Sequence, residues 1–497
     1  MDNKKMKKIS YKLYTGIIGL ILLVSCEDTL MEEPRALMVE SFYNSPAEVE
    51  AGLAAIYAPI RGQMSGWWIG ALDCQAEWGA GLNGAANFDA HKTMQGLDNV
   101  ASNNIVGIWD NMFRSILYAN LVIKYTPLGT VLSDSQKNVY LAEARFMRAF
   151  VYFQLVKAWG GVPLYTEETM DQTIGVPKGT KEQVYERIRQ DLEFAENYLP
   201  DAPPLLGKPS KWSVKTVLAD VYFYMGLHAE ATSKAHEVIE SGKFLLEEVT
   251  EADDFNNLFG REASSQEEIF YLKFNQNSTS GLILFTQQIN TPWWGAQGYG
   301  IHTWHTSSRF YSEWSDSDLR KSFGWYVETS RTNPFLAGQP AFPSSGVTLI
   351  SPKKYNDPDA IISTFDLPVY RYADLLLIYA EASARANGSP TLDGMEKLNM
   401  VHRRAYGQPA QLPSVVDFNL SDYNLESFID LVIRERGYEF QFEGKRWFDL
   451  VRAGKANEVM VNAIGREVAE KHLLWPIPAI EFDLNESLLP SDQNPGY

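Results

Sequence analysis

Cysteine is nearly absent from this chain. Of 497 residues only Cys26 and Cys74 carry a thiol, so no disulfide framework staples it and stability must come from a large buried core. The apolar run from Ile17 to Val24 falls far short of the roughly 20 residues that span a bilayer, which argues against a permanent transmembrane helix. No Lys/Arg cluster of useful size follows it, and without a positive footprint nucleic acid is excluded as a partner. The chain also lacks a Gly-x-Ser-x-Gly elbow, a His-Glu-x-x-His zinc motif and a Gly-x-x-x-x-Gly-Lys-Ser/Thr phosphate loop, so nucleophilic and phosphoryl-transfer enzymes are unsupported. No Pro/Gly/Ser-rich linker divides it after residue 45. That favours one continuous body with long insertions over the several domains its length would allow.

What is present begins at the N-terminus. Lys4, Lys5, Lys7, Lys8 and Lys12 precede the apolar run, which ends at Ser25-Cys26-Glu27-Asp28. A cationic segment, a short apolar segment and a small residue before a cysteine make a cleaved lipoprotein export signal over residues 1–25, with Cys26 as the acylated first residue of the mature chain. Residues 26–45 then form a tether, and membrane attachment comes from acyl burial at about 0.8 kcal/mol per CH₂. Cleavage takes five Lys and one Asp from 44 basic and 62 acidic residues and leaves a net charge of −22.

Apolar residues recur at helical spacing. Val214, Val217, Leu218, Val221, Tyr222 and Met225 follow i, i+3, i+4, i+7, i+8, i+11, and Leu425, Phe428, Ile429, Val432 and Ile433 repeat the pattern, each predicting a core-facing stripe. Ala142 to Trp159 is apolar nearly all round and predicts a buried helix. Further helices are expected near 46–60, 102–125, 181–199, 228–241, 372–387 and 391–405. The couples 102–125/134–158, 181–199/210–227 and 372–387/391–405 are joined by short turns, as helix-pair solenoid units are. No strict 34-residue signature recurs. The fold class expected is mostly α, a helix-pair, tetratricopeptide-like solenoid carrying long aromatic-rich insertions.

Two regions, near 61–100 and 250–370, are rich in Gly, Asn, Pro and aromatics without sustained periodicity, and are long enough to be functional loops. Of 13 Trp, five (Trp293, Trp294, Trp304, Trp314, Trp325) fall between residues 291 and 326, with Tyr299, Tyr311 and Tyr326 beside them. A smaller group joins Trp67, Trp68 and Trp78 to Asp73, Asn83 and Asn87. Sugar rings offer C–H groups on one face and hydroxyls at the edge, so aromatic platforms with Asn, Asp and Arg suit carbohydrate. The candidate glycan contacts are Trp67, Trp68, Asp73, Trp78, Asn83, Trp293, Trp294, Tyr299, Trp304 and Trp325. The competing expectation is that these side chains fill small cores of their own under the loops.

His302 and His305 are three apart but have no Cys nearby and no helix to hold them, so they read as loop or ligand-contacting histidines and not as a metal pair. Glu435 and Glu439, at i, i+4 beside Arg434 and Arg436, read as a structural charge network; a glycosidase would need two carboxylates facing each other across a sugar.

Four stretches carry a resemblance over nearly the whole mature chain. They are Ala142-Glu143-Ala144-Arg145-Phe146-Met147-Arg148-Ala149 running to Trp159-Gly160-Gly161-Val162-Pro163-Leu164; Tyr370-Arg371-Tyr372-Ala373-Asp374-Leu375-Leu376 running to Ala382; Glu439-Phe440-Gln441-Phe442-Glu443-Gly444-Lys445-Arg446-Trp447-Phe448-Asp449-Leu450; and Pro476-Ile477-Pro478 with the ending Gln493-Asn494-Pro495-Gly496-Tyr497. Together they resemble the RagB/SusD family of outer-membrane nutrient-binding lipoproteins of the Bacteroidetes. The resemblance implies one SusD-like domain over 46–497, lipid-anchored at the outer membrane on the cell surface. It implies capture of an oligosaccharide or polysaccharide, delivery to a SusC-like TonB-dependent transporter over which the lipoprotein sits as a lid, and no catalysis. No cofactor or metal is implied, and whether calcium orders the loops stays open. The alternatives are a helical-repeat protein-interaction adaptor and a SusD-like binder of a non-glycan nutrient such as peptide. The family motifs describe the frame, so the site residues rest on the aromatic clusters alone. Within the frame, Arg446 and Asp449 are expected to satisfy each other or a helix end, and the Asn494-Pro495-Gly496 turn with Tyr497 to fold back onto the body.

Overall fold

Ser45, Ser133, Thr180, Ser210 and Asn424 each open a helix by accepting the backbone N–H three residues on, so short polar side chains set where the helices begin. The computed structural model describes residues 42–78, 88–98, 104–259, 264–274, 304–306, 308–329, 348–355 and 365–497. Cys26 and the export signal, Asn83, Asn87, Trp293, Trp294, Tyr299 and His302 lie outside them.

The scaffold is a run of helices: α1 (Pro46–Gln63), α2 (Ile69–Gln75), α3 (Ile105–Tyr125), α4 (Asp134–Trp159), α5 (Lys181–Tyr198), α6 (Lys211–Tyr224) and α7 (His228–Glu240). Consecutive helices pack on one another, α3 on α4, α4 on α5, α5 on α6 and α6 on α7, and α1 closes against α3. Next come the strands β1 (Glu268–Leu272) and β2 (Trp304–His305), helix α8 (Leu319–Gly324), and strands β3 (Trp325–Thr329), β4 (Thr348–Pro352) and β5 (Leu367–Arg371). The strands form two small antiparallel sheets, β1 with β5 and β2-β4-β3. Then α9 (Tyr372–Asn387) packs on α7, α10 (Leu392–Ala405) and α11 (Leu425–Glu439), with α12 (Arg446–Arg452) and α13 (Ala456–Ile464) beyond. The chain is mostly helical with a solenoid of helix pairs, as its periodicity predicts.

From Ala142 to Trp159 α4 is almost wholly buried. Of the charges it carries inward, Arg148 is matched by Asp191 of α5 at 2.7 and 2.8 Å, by the Asn120 side-chain oxygen at 2.6 Å and by Glu167, as a buried guanidinium requires. The C-terminal motif also has a physical reading. Asn494 donates to the carbonyls of Trp159 (2.9 Å) and Trp475 (2.7 Å), and the Trp159 indole donates to Pro476 (2.9 Å). The terminus is thereby folded back on the end of α4, and the Tyr497 hydroxyl reaches the Leu474 carbonyl at 3.3 Å.

A buried charge lattice joins the strand-bearing insertion to the helices. The Glu439 carboxylate accepts from Arg371 of β5 (2.5 Å), Arg320 of α8 (3.0 Å) and Arg404 of α10. Glu443 takes Arg371 (2.9 Å) and Lys354 (2.6 Å), Glu435 takes Arg320 (2.7 Å), and Glu267 takes Arg404. The structural reading of Glu435 and Glu439 therefore holds, but their partners come from distant segments and not from Arg434 or Arg436 on their own helix.

Two expectations are corrected. Residues 61–75 are not loop: α1 runs to Gln63, a π turn covers Met64–Trp68, and α2 follows directly. A π turn takes up an extra residue, which breaks the 3.6-residue pattern in sequence without breaking the helix. Arg446 and Asp449 do not pair. Arg446 reaches back to Glu77 at 2.6 Å, while Asp449 accepts from Arg436 at 2.8 Å, because α12 lies between α11 and the chain after α2.

Candidate functional site

The structure turns several expected ligand contacts into core. Trp68 (2% exposed), Trp78 (1%), Trp325 (2%) and Asp73 (1%) are all sealed from solvent. Trp68 packs edge-on to Trp475 at 5.4 Å and against Phe448 at 5.8 Å, inside a group that also holds Trp109 and Trp159. Trp67 is half-buried with its ring against Phe88 at 5.5 Å. The backbone of Trp304 lies in β2 opposite Ile350. Trp68, Trp78 and Trp325 join the main hydrophobic core and do not form small cores of their own under the loops: the π turn and α2 direct Trp68 and Asp73 inward, and α8 leads straight into β3, whose first residue is Trp325.

The two aromatic groups nevertheless meet. Trp78 lies edge-on to Phe442 at 6.4 Å, and Trp325 lies edge-on to the same ring at 5.2 Å. Phe442 has a φ of 60°, a left-handed conformation costly for a bulky side chain, and the two indoles hold it there. The Trp325 indole N–H donates to Gln441 at 2.8 Å. Burial pushes the Asp73 carboxyl up to about 8, against the opposing pull of the Trp78 indole and Lys354. Raised in this way and sealed from solvent, it is unsuited to hydrogen-bonding sugar as a carboxylate.

Above this aromatic floor is a cleft of about 250 Å³ lined by Trp78, Phe310, Tyr438, Arg309, Arg434, Gln441, Arg446 and Asn462, among others. One wall is the helical turn Arg309–Ser312, the second is the outer flank of α11, and the third is α13. Tyr438 is fixed by Trp314, whose ring is stacked on it at 4.4 Å and 4° from parallel. The floor is closed by the Arg446–Glu77 pair, with the Arg446 guanidinium also donating to the Ile433 carbonyl at 2.6 Å. Gly437 is required there: a Cβ would come within 2.8 Å of that guanidinium. Aromatic faces beside amide, guanidinium and carboxylate groups can stack a flat apolar face and bond a polar rim.

Two other cavities are less apt. A groove of about 530 Å³ runs between Tyr57, Lys208, Leu206 and Phe274, but Lys208 is already held by Glu50 (2.5 Å) and Glu143 (3.1 Å), and Lys273 by Glu268 and Asp366. An inner cavity of about 50 Å³ is lined by Lys157, Asp220, Tyr370 and Asp374, room for a few waters. Among the described residues no group of three or more His, Cys, Asp or Glu could hold a metal, and no helix is long and apolar enough to cross a membrane.

Sequence reading missed Phe310, Arg309, Arg434, Tyr438, Gln441 and Asn462. The available signal was on α11, where Arg434 and Tyr438 stand one turn apart on the flank opposite its apolar stripe; a large aromatic ring on the polar side of an otherwise amphipathic helix needs its own partner.

Comparison with known proteins adds an independent line. Residues 256–497 match the profile of the SusD family, and residues 33–223 match a second profile described as starch-binding associating with outer membrane. The chain is 28% identical to SusD-like protein P2 of Formosa agariphila, over 99% of this chain and 100% of that one. Among solved structures it is similar to surface glycan-binding protein A from Bacteroides uniformis (TM-score 0.72, 23% identity, 90% of this chain and 99% of that chain). It is also similar to a laminarin-binding SusD-like protein (TM-score 0.67, 21% identity, 92% and 100%).

Proposed function

The chain belongs to the SusD family, and from that premise we propose that it is a non-catalytic, outer-membrane glycan-binding lipoprotein, anchored through Cys26. It captures oligosaccharide and passes it to a SusC-like TonB-dependent transporter. The observation that carries the binding part is the convergence of both aromatic-rich segments on the Tyr438 cleft, where Phe310 and Tyr438 stand beside Asn462, Gln441 and Arg434. The family's description as starch-binding and outer-membrane-associated supports it, and so does its likeness in fold to a laminarin-binding SusD-like protein and to a surface glycan-binding protein. The carboxylates of α11 support a role without catalysis: Glu435 and Glu439 are each engaged by buried cations and are not poised across a cavity as a glycosidase pair must be.

Recognition by stacking predicts modest affinity, since each aromatic adds about 0.5–1.5 kcal/mol beyond area burial, and release to a transporter needs that. Isothermal titration of the purified protein against a panel of oligosaccharides tests the reading. Binding to at least one glycan, weakened by Tyr438→Ala and by Asn462→Ala with unfolding cooperativity retained, is expected. Silence across the panel would favour a peptide nutrient or a protein-interaction adaptor.

A further inference from the structure

Among the described residues, one cation of the cleft is left without a carboxylate. Of its three arginines, Arg446 is consumed by Glu77 and the Ile433 carbonyl. Arg309 lies on the rim, shared with Glu313 at 2.8 Å and the Asn462 carbonyl at 3.2 Å, and both members of that pair are more than half exposed. Arg434 is exposed and forms no ion pair among the described residues. Its i−4 neighbour Asp430, the natural helical partner, is taken by Lys455 at 3.0 Å. Its adjacent residue Glu435 is buried with Arg320 and His402. What remains near Arg434 is aromatic: the Phe418 ring at 5.9 Å, and Tyr438 one turn further along α11. In a chain with 62 acidic and 44 basic residues, carboxylates are in excess, yet among the described residues none is placed on this guanidinium.

Building on the glycan-binding reading, we propose that the cleft selects a sugar bearing an anionic group, a uronate carboxylate or a sulfate ester, with Arg434 as the specificity-determining residue. The sugar ring lies against Tyr438 and Phe310, and its anionic substituent meets the Arg434 fork, whose paired N–H donors match the two oxygens of such a group. Arg309 adds a second cation, because an exposed pair such as Arg309–Glu313 is worth only about 0–1 kcal/mol and exchanges readily. The acidity of the whole body does not oppose this, since the potential in a cleft is set by the groups that line it.

The test titrates the purified protein with matched pairs: oligogalacturonate against its methyl ester, and a sulfated galactan oligosaccharide against its desulfated form, with a neutral β-glucan oligosaccharide as reference. One charged member should bind roughly 10- to 100-fold tighter than its neutral counterpart, the range set by a hydrogen-bonded charge pair. Which pair shows the gap distinguishes carboxylate from sulfate. Arg434→Gln should abolish the gap and its salt dependence, lowering the affinity of the charged member far more than that of its neutral counterpart, with the thermal midpoint unchanged; Arg434→Lys should restore part of it. Equal binding of charged and neutral members, or a gap that survives Arg434→Gln, overturns the proposal and leaves glycan binding standing. Failure of every glycan to bind overturns the functional reading as well.

Discussion

The Trp314 indole lies parallel to the Tyr438 ring, with centroids 4.4 Å apart. This contact ties the irregular insertion to α11. Its indole N–H donates to Asp318 at 2.9 Å, Asp318 accepts from Arg320 at 2.6 Å, and Arg320 continues to Glu435 and Glu439. The ring that lines the cleft is thus held by a chain of stacking, hydrogen bonds and ion pairs that ends in the core. A binding surface built this way is preorganised, so little ordering entropy is lost when ligand arrives.

Glu439 is the hub of the buried lattice, and its replacement should be severe. Glu439→Gln leaves Arg320, Arg371 and Arg404 short of negative charge in a region without solvent. A loss of about 3–5 kcal/mol is expected, read from the urea midpoint. A change under 1 kcal/mol would mean that Glu267, Glu435 and Glu443 compensate without it.

Acid should unfold the protein through the same groups. Burial disfavours ionisation of Glu435, but Arg320 and His402 outweigh it and hold the carboxyl at about 2. The same opposition of burial by Arg452 and Arg385 holds Glu381 at about 2, and by Lys445 and Arg436 holds Asp374 at about 2. A carboxylate depressed in the folded state stabilises above its unfolded pKa and loses that contribution as pH falls towards the folded value. The thermal midpoint should therefore hold on this account from neutrality to about pH 5 and fall steeply between about 4.5 and 2; a flat profile there would contradict the lattice.

Asp73 works in the opposite sense. Its folded carboxyl is pushed up to about 8 by burial, so the unfolded chain ionises first as pH rises from about 4, and stability is lost between there and 8. Asp73→Asn mimics the neutral form. The variant should gain on the parent progressively across that range in paired thermal scans, and a difference independent of pH would show that Asp73 is ionised when folded.

Trp78 and Phe442 should behave as core. Trp78→Ala is expected to cost about 3–5 kcal/mol. Phe442→Gly removes backbone strain of about 1–2 kcal/mol but deletes a ring packed between two indoles, for a net loss of about 2–3 kcal/mol. Denaturant titration checks both; a stabilised Phe442→Gly would mean that strain outweighs packing.

The frame was largely legible beforehand. Predicted spans at 46–60, 181–199, 228–241 and 372–387 match α1, α5, α7 and α9 within a few residues, because apolar periodicity and polar caps act locally. Trp68, Trp78 and Trp325 were not legible as core. A tryptophan in a glycine-rich stretch has the same sequence signature whether it faces solvent or protein, and here the deciding partners, Trp475, Phe442 and Gln441, lie over a hundred residues away.

Taken alone, the amino-acid order determined the helix-pair scaffold, the C-terminal wrap and the acidic, cysteine-poor character of the chain, since these follow from side-chain spacing and charge. Only the tertiary structure decided which aromatic rings are core and where the cleft opens. Those outcomes depend on α2 being packed against α12, on α8 and α12 being packed against α11, and on Arg434 having no carboxylate partner among the described residues once its neighbours had found theirs.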